Sequence, residues 1–153
     1  MLFLMLPEKS RGQYPDAELA IDGLTCSQCS RSVEMQLRKL PFIQSVTMNL
    51  AHATCKLTFK KEAGTNAEAI AQAVTDAGFS LRYLKLKVPT DKISVVSDNC
   101  ILVEKDAYAT DRPPDPKQPY NYLLFDKKSF AKQRVAGKCF ANRKYCTVKV
   151  LAE

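Results

Sequence analysis

The chain of 153 residues has no tryptophan, a single histidine and no apolar run longer than six residues. Its longest apolar run, residues 1–6, is too short to cross a membrane as a helix, so no transmembrane segment is predicted. The run also lacks the positively charged start of a complete signal peptide. We expect residues 1–16 to be the remnant of a secretory signal peptide, which would make the protein periplasmic or secreted. A cytoplasmic tail is the alternative.

No arginine-rich stretch, nucleic-acid-binding motif or repeated aromatic platform accompanies the net charge of +7. The basic residues are spread over both halves of the chain, so nucleic acid is not an expected partner. With 46% hydrophobic and 25% charged residues, the composition is that of a folded protein with one modest core or two small ones.

Two cysteines, Cys26 and Cys29, form a Cys-x-x-Cys pair where a strand is predicted to end and a helix to begin. Residues 18–22 alternate polar and apolar side chains, as a half-buried strand does, and Val33 and Leu37 recur at helical spacing. The amino end of a helix favours a thiolate over a thiol. Because thiolates bind metals and attack disulfides, this turn is the first candidate for a functional site.

The next 50 residues repeat the strand and helix signals in a definite order. Strands are predicted at 43–50, 55–60 and 79–88. A second helix is predicted to open with Thr65 as its cap and Glu68 reaching back, and to end at Gly78. The order strand, helix, strand, strand, helix, strand predicts an α+β fold, the ferredoxin-like βαββαβ domain, with four antiparallel strands and both helices on one face.

With this order and the run Gly-Leu-Thr-Cys-Ser-Gln-Cys in the first loop, residues 17–88 resemble the heavy-metal-associated domain. That family includes copper chaperones, the N-terminal modules of copper-transporting ATPases and periplasmic mercury-binding proteins. Leu24 stands where methionine is common in the family. We expect Leu24 to be tolerated there because this position supports the loop from inside.

The resemblance implies a role for each residue of the loop. Cys26 and Cys29 would be the metal ligands, Leu24 and Thr25 would shape the loop, and Phe79 would pack beside it as a shield. It implies a monomeric metal carrier rather than an enzyme. The implied partner is a metal-transporting ATPase or another Cys-x-x-Cys metal-binding domain.

The number of ligands indicates which metal would bind. Zn(II) prefers four tetrahedral ligands, whereas two thiolates satisfy a soft ion such as Cu(I) or Hg(II). Cu(I) is therefore the expected metal, with Hg(II) and Zn(II) as alternatives. Asp22 could assist a divalent ion but is expected to be a solvated or turn-forming residue. We expect His52 to be an exposed turn residue at the end of the sheet opposite the Cys loop.

Two other functions use the same fold. The Cys pair could be a thiol-disulfide oxidoreductase centre, although such centres commonly carry a tryptophan before the first cysteine and this chain has none. The pair could also be structural, in which case the domain would be a metal-free interaction module. Metal binding is the prediction that the surrounding motif favours.

Residues 89–153 are predicted to form a second, small β-rich domain of unknown function. Strands are expected at 93–96, 100–103, 120–125 and 145–151, a helix at 127–135 and an exposed proline-rich loop at 111–119. A small sandwich, or a barrel similar to the oligonucleotide/oligosaccharide-binding fold, would accommodate them. Tyr108, Tyr120 and Tyr122 are expected either to pack in the core or to line a groove.

Four further cysteines lie outside the pair. Cys55 shares its strand parity with core residues and is expected to be a buried, small hydrophobe. Cys139 and Cys146 bracket a predicted turn and could form a disulfide in an oxidising compartment. The sequence predicts no partner for Cys100.

Overall fold

The computed structural model describes residues 16–61, 64–104, 106–130 and 146–151. These residues form one sheet with helices at its first half. The elements are β1 (Ala17–Asp22), α1 (Ser27–Arg38), β2 (Ile43–Asn49), β3 (Thr54–Phe59), α2 (Ala67–Asp76), β4 (Ser80–Pro89), a short 3-10 turn (Thr90–Lys92), β5 (Ile93–Ser97), β6 (Cys100–Val103), β7 (Asp106–Thr110), β8 (Tyr120–Asp126) and β9 (Cys146–Leu151).

The first half has the predicted βαββαβ order. Strand β1 lies between β3 and β4 and is antiparallel to both, and β2 pairs with the outer side of β3. The two helices contact each other, and α1 also contacts β2 while α2 contacts β4. The fold class predicted from the sequence, a ferredoxin-like domain, is thus confirmed for this half.

Helix α2 begins one residue later than predicted. Its cap is Asn66, which has extended backbone (φ −132°) and whose Oδ1 accepts a hydrogen bond from the Ala69 amide at 3.1 Å. The prediction of Thr65 as the cap is therefore wrong, because the asparagine carboxamide reaches the third amide of the helix instead. The end of the helix is as expected, since Gly78 has the left-handed backbone (φ +90°) of a helix terminator.

The second half continues the same sheet. Residues 83–89 of β4 pair with residues 120–126 of β8, and the sheet order is β2-β3-β1-β4-β8-β9-β7-β6-β5. The β-rich character is as predicted. The predicted barrel is not observed, because the described strands form an open sheet in which β5 is an edge strand. Strand β7 was missed by the sequence analysis, since its alternating alanines are weak strand formers.

Several predictions fall wholly or partly on residues outside the described ranges. Residues 127–130 form a turn where a helix over 127–135 was predicted, and the rest of that range lies outside the description. Residues 1–15, residue 139 and the side chain of Cys146 also lie outside the described residues. The signal peptide and the Cys139–Cys146 disulfide therefore stay predictions. Cys100 is buried and disulfide-bonded. Among the described helices, none is long and apolar enough to cross a membrane.

One apolar core runs through both halves of the described chain. Phe125 on β8 is fully buried opposite Leu84 of β4. Its ring lies 5.5 Å from that of Tyr108, edge to face, and 5.5 Å from that of Phe130, stacked. The proposed division at residues 88 and 89 thus falls inside β4, and two domains, 17–88 and 89–153, remain a prediction.

Replacing Phe125 with alanine should lower the free energy of unfolding by about 3–5 kcal/mol, because it removes a buried ring and leaves a cavity. Urea denaturation followed by circular dichroism measures this. Tyr120→Ala removes an exposed ring from the same strand and should cost far less. Equal losses from the two variants would contradict the burial described here.

Cys55 should be unreactive in the folded protein. It is fully buried on β3, and desolvation raises the pKa of its thiol to about 12, with the Glu34 carboxylate adding to the effect. At pH 9 about one molecule in a thousand would then carry the thiolate that alkylating reagents need. We expect iodoacetamide to label the Cys55 peptide, detected by mass spectrometry, only in denaturant. Rapid labelling of native protein would contradict this.

Candidate metal centre

The loop that carries the Cys pair starts where β1 ends. Asp22 is the last residue of β1, and Gly23 turns the chain with a positive φ of +84°, which residues with a side chain adopt only with strain. Leu24 is 4% exposed and points into the core, whereas Thr25 is exposed. The predicted inward position of Leu24 is therefore observed, and it fixes the loop to the core just before the cysteines.

The two cysteines occupy the cap and the first turn of α1. Cys26 is the cap, with extended backbone, and its Sγ accepts a hydrogen bond from the Cys29 amide at 3.2 Å. Its carbonyl oxygen accepts a bond from the Ser30 amide at 3.1 Å. The sulfur thus takes the place that a serine or aspartate oxygen takes in other helix caps.

In this structure Cys26 and Cys29 are paired as a disulfide, with their Cα atoms 5.2 Å apart. Cys26 is exposed and Cys29 is partly buried. Reduction would give two adjacent sulfur donors on a surface loop, since only the thiolate form coordinates a metal. The pair can therefore exist either as a redox-active or structural disulfide or as a two-thiolate metal site.

The donor set fits a soft metal of low coordination number. Across the described ranges, no three histidine, cysteine, aspartate or glutamate residues lie close enough to share an ion. Two thiolates suit Cu(I) or Hg(II), which accept two soft ligands, better than Zn(II), which needs four.

Phe79 lies beside the turn at Gly23, where the loop begins. Phe79 lies between Gly78 and the first residue of β4. Its ring atom Cδ1 lies 3.7 Å from the position that a Cβ atom on Gly23 would occupy. The ring is partly buried. This places an apolar group beside the turn that leads to Cys26, and the role of Phe79 as a shield for the metal stays a prediction.

Asp22 was expected to be a solvated or turn-forming residue. In the structure it forms two ion pairs. Its Oδ2 lies 2.6 Å from Lys127 Nζ and its Oδ1 lies 2.7 Å from Arg82 Nε. The hydrogen bond from Lys127, followed by that from Arg82, holds the pKa of the Asp22 carboxyl below its usual value. With both carboxylate oxygens occupied by cations, Asp22 is poorly suited to serve as a metal ligand.

His52 is an exposed turn residue, as predicted, but its predicted location is wrong. Because β1 and β3 are antiparallel, with Ala20 opposite Thr54, the β2–β3 hairpin lies at the same end of the sheet as the Cys loop. The Ile21 amide donates to the Ala53 carbonyl at 3.0 Å, which fixes this arrangement. His52 belongs to no cluster of metal-binding side chains among the described residues.

Arg82 and Lys127, which bind Asp22, were not predicted from the sequence. Strand alternation on β4, paired with β1, could have placed Arg82 near the end of β1. No local signal identifies Lys127, because it comes from the turn after β8, about 100 residues along the chain from Asp22.

The three tyrosines separate into two environments. Tyr108 is buried in the core against Phe125. Tyr120 and Tyr122 lie on the opposite face and line a cavity of about 200 Å³ together with Arg112 and Asn121. Tyr108 thus packs in the core, as one alternative expected, and Tyr120 and Tyr122 line a groove, as the other expected.

The comparison with known proteins agrees with the loop geometry. The model of the heavy-metal-associated domain family matches residues 18–80. A copper-transporting ATPase 1 from Rhizobium meliloti (strain 1021) is 40% identical over 68 residues, which are 44% of this chain and 8% of the ATPase. A copper-transporting ATPase from Saccharomyces cerevisiae is 33% identical over 61 residues, which are 40% of this chain and 6% of the ATPase. The chain thus spans less than a tenth of the length of these relatives.

Among solved structures, the yeast copper transporter domain Ccc2a is 29% identical, with a TM-score of 0.40, covering 44% of this chain and 92% of that one. The CopZ metallochaperone is 20% identical, with a TM-score of 0.39, covering 42% of this chain and 94% of that one. The family match covers the segment that holds the Cys loop. Residues 18–80 are therefore a heavy-metal-associated domain.

Proposed function

We propose that this protein binds Cu(I) through the thiolates of Cys26 and Cys29 and passes the ion to a partner. The observation that carries the proposal is the position of the pair: two sulfurs at the amino end of α1, with Cys26 exposed and Leu24 anchoring the loop beneath it. An exposed pair can release its ion to another protein, whereas a buried site would retain it. Copper transport by the sequence relatives supports Cu(I) over Hg(II).

Transfer would proceed by exchange of thiolate ligands. A thiolate from a partner's Cys-x-x-Cys loop adds to the two-coordinate Cu(I) and forms a third copper–sulfur bond. One of the bonds to Cys26 and Cys29 then breaks, and the released sulfur keeps the electron pair and takes a proton from solvent. The second thiolate of the partner's loop displaces the remaining sulfur in the same way, and copper stays Cu(I) throughout. The metal is never free in solution, and the reaction needs no oxidant or reductant. A metal-transporting ATPase domain is the partner that fits this chemistry.

Serine at both positions, Cys26→Ser with Cys29→Ser, should abolish tight Cu(I) binding, because a hydroxyl is a poor ligand for a soft ion. The reduced protein would be titrated with Cu(I) under anaerobic conditions against a competing chelator. The loss should exceed a hundredfold in affinity, an order-of-magnitude expectation for removing both ligands (about 3 kcal/mol or more). Circular dichroism should be unchanged.

The matched control is Ser27→Ala with Gln28→Ala, which alters the two exposed residues between the cysteines and leaves both sulfurs in place. This control should bind Cu(I) as the unmodified protein does. Stoichiometric binding by the double serine variant would overturn the ligand assignment and direct attention to the other cysteines.

The disulfide between Cys26 and Cys29 favours a second candidate, a thiol-disulfide oxidoreductase. The two functions predict different behaviour of the same pair. A carrier must be reduced before it can load Cu(I) and should not accelerate the reduction of insulin disulfides. An oxidoreductase should accelerate that reaction catalytically in the presence of dithiothreitol. Rapid insulin reduction without Cu(I) binding would replace the carrier proposal.

A further inference from the structure

We propose that the cavity beside Tyr120 and Tyr122 is a binding site for a small carboxylate ligand, and that Arg112 holds the carboxylate. This inference does not depend on Cu(I) binding, because the cavity is lined by the loop after β7 and by strands β8 and β9. The cavity volume of about 200 Å³ is below the range of about 300–1,000 Å³ that is typical of pockets for drug-sized molecules. The ligand must therefore be small, of about the size of benzoate.

A buried asparagine holds the loop that forms one wall of the cavity. Asn121 is 4% exposed, its Oδ1 accepts a hydrogen bond from the Asp115 amide at 2.9 Å, and its Nδ2 donates to the Asp115 carbonyl oxygen at 3.1 Å. Nδ2 also donates to Thr90 Oγ1 at 2.8 Å. The Thr90 hydroxyl in turn donates to the Gln118 carbonyl oxygen at 2.6 Å. Because the donors and the acceptor of this buried amide are all paired, the wall is formed before any ligand binds.

Arg112 is anchored at the start of the same loop through one nitrogen. Its Nε donates to the Val150 carbonyl oxygen of β9 at 2.8 Å, and the Val150 amide donates to Asp111 Oδ1 at 2.8 Å. Within the described ranges, the two terminal nitrogens of Arg112 take part in no hydrogen bond or ion pair. These two nitrogens form a planar fork of donors that matches the two oxygens of a carboxylate. Arg112 is therefore the group of the cavity best suited to bind an anion.

The two tyrosines form an apolar wall of the cavity, and a lysine lies over the ring of each. Lys87 Nζ is 4.0 Å from the centre of the Tyr120 ring. Lys85 Nζ is 4.6 Å from the centre of the Tyr122 ring. The rings offer a surface to the apolar body of a ligand, while the ammonium groups add positive charge nearby.

The charge around the cavity also favours an anion. Three cations, Arg112, Lys85 and Lys87, are set against one carboxylate, that of Asp115, which gives a local net charge of +2. The lysines already cover one face of each tyrosine ring, so the site is less suited to the stacking of nucleic-acid bases than to a small acid.

The test is titration of the full-length protein with sodium benzoate, followed by backbone amide NMR at neutral pH and low ionic strength. Benzoate should shift the amide signals of Arg112, Tyr120 and Tyr122 and should saturate with a Kd of about 1 mM, as expected for a ligand of this size. Benzamide has nearly the same shape without the charge. It should bind about tenfold more weakly, because a guanidinium binds a charged oxygen more strongly than a neutral one.

Two variants should change the affinity in opposite directions. Arg112→Gln should weaken benzoate binding by about tenfold, because it removes the charge and the fork of donors. Arg112→Lys keeps only the charge and should give an intermediate affinity. Asp115→Asn removes a negative charge from the cavity and should strengthen binding by about two- to threefold.

Lys117→Gln is the matched control, since Lys117 is an exposed cation of the same loop that does not line the cavity. It should change the affinity by less than about twofold, because its charge is screened by solvent. Equal weakening in Lys117→Gln and Arg112→Gln, equal binding of benzoate and benzamide, or the absence of a saturable shift at the cavity residues would overturn the proposal.

A final comparison identifies the source of the carboxylate, which a free acid and the end of a peptide chain can both provide. N-acetylphenylalanine represents the chain end, and its amide is the uncharged control. Tighter binding of N-acetylphenylalanine than of benzoate, lost in the amide, would assign the site to a chain end. Tighter binding of benzoate would assign it to a free acid. Binding of the amide as tight as that of the acid would overturn the role of Arg112.

Discussion

The pairing of β1 on both of its edges is the constraint on which the site depends. β3 lies on one side and β4 on the other, and Leu19 and Ile21 are fully buried, so the strand cannot shift by one residue without turning apolar side chains to solvent. The position of its last residue is therefore fixed, and this residue determines where the following loop begins. Gly23 then supplies the backbone conformation that turns the chain, and Leu24 returns it to the core.

On that foundation Cys26 has two structural tasks besides its chemical one. Its sulfur caps α1 by accepting the Cys29 amide, and its carbonyl oxygen accepts the first helical hydrogen bond, from Ser30. A sulfur that already accepts a hydrogen bond at a helix amino end is in an environment that favours negative charge. The same geometry permits the disulfide, so the redox state of the pair would decide whether the loop can take up a metal.

Local chemistry explains what the sequence could predict. The alternation along β1, the helical spacing of Val33 and Leu37, and the left-handed Gly78 are each determined by residues close in the chain, and each was predicted from them. Interactions between distant segments could not be predicted. The location of His52 depends on the direction of β3 relative to β1, and the contact of Lys127 with Asp22 depends on β8 joining the free edge of β4.

The central claim is that two sulfurs, from Cys26 and Cys29, are the complete set of protein ligands for Cu(I). X-ray absorption at the copper edge of the reduced, singly loaded protein tests it most directly. The account predicts two sulfur neighbours, no nitrogen or oxygen neighbours, and the edge feature of a two-coordinate Cu(I) ion. A nitrogen neighbour, which would bring in His52, or a third sulfur from the same chain would contradict it.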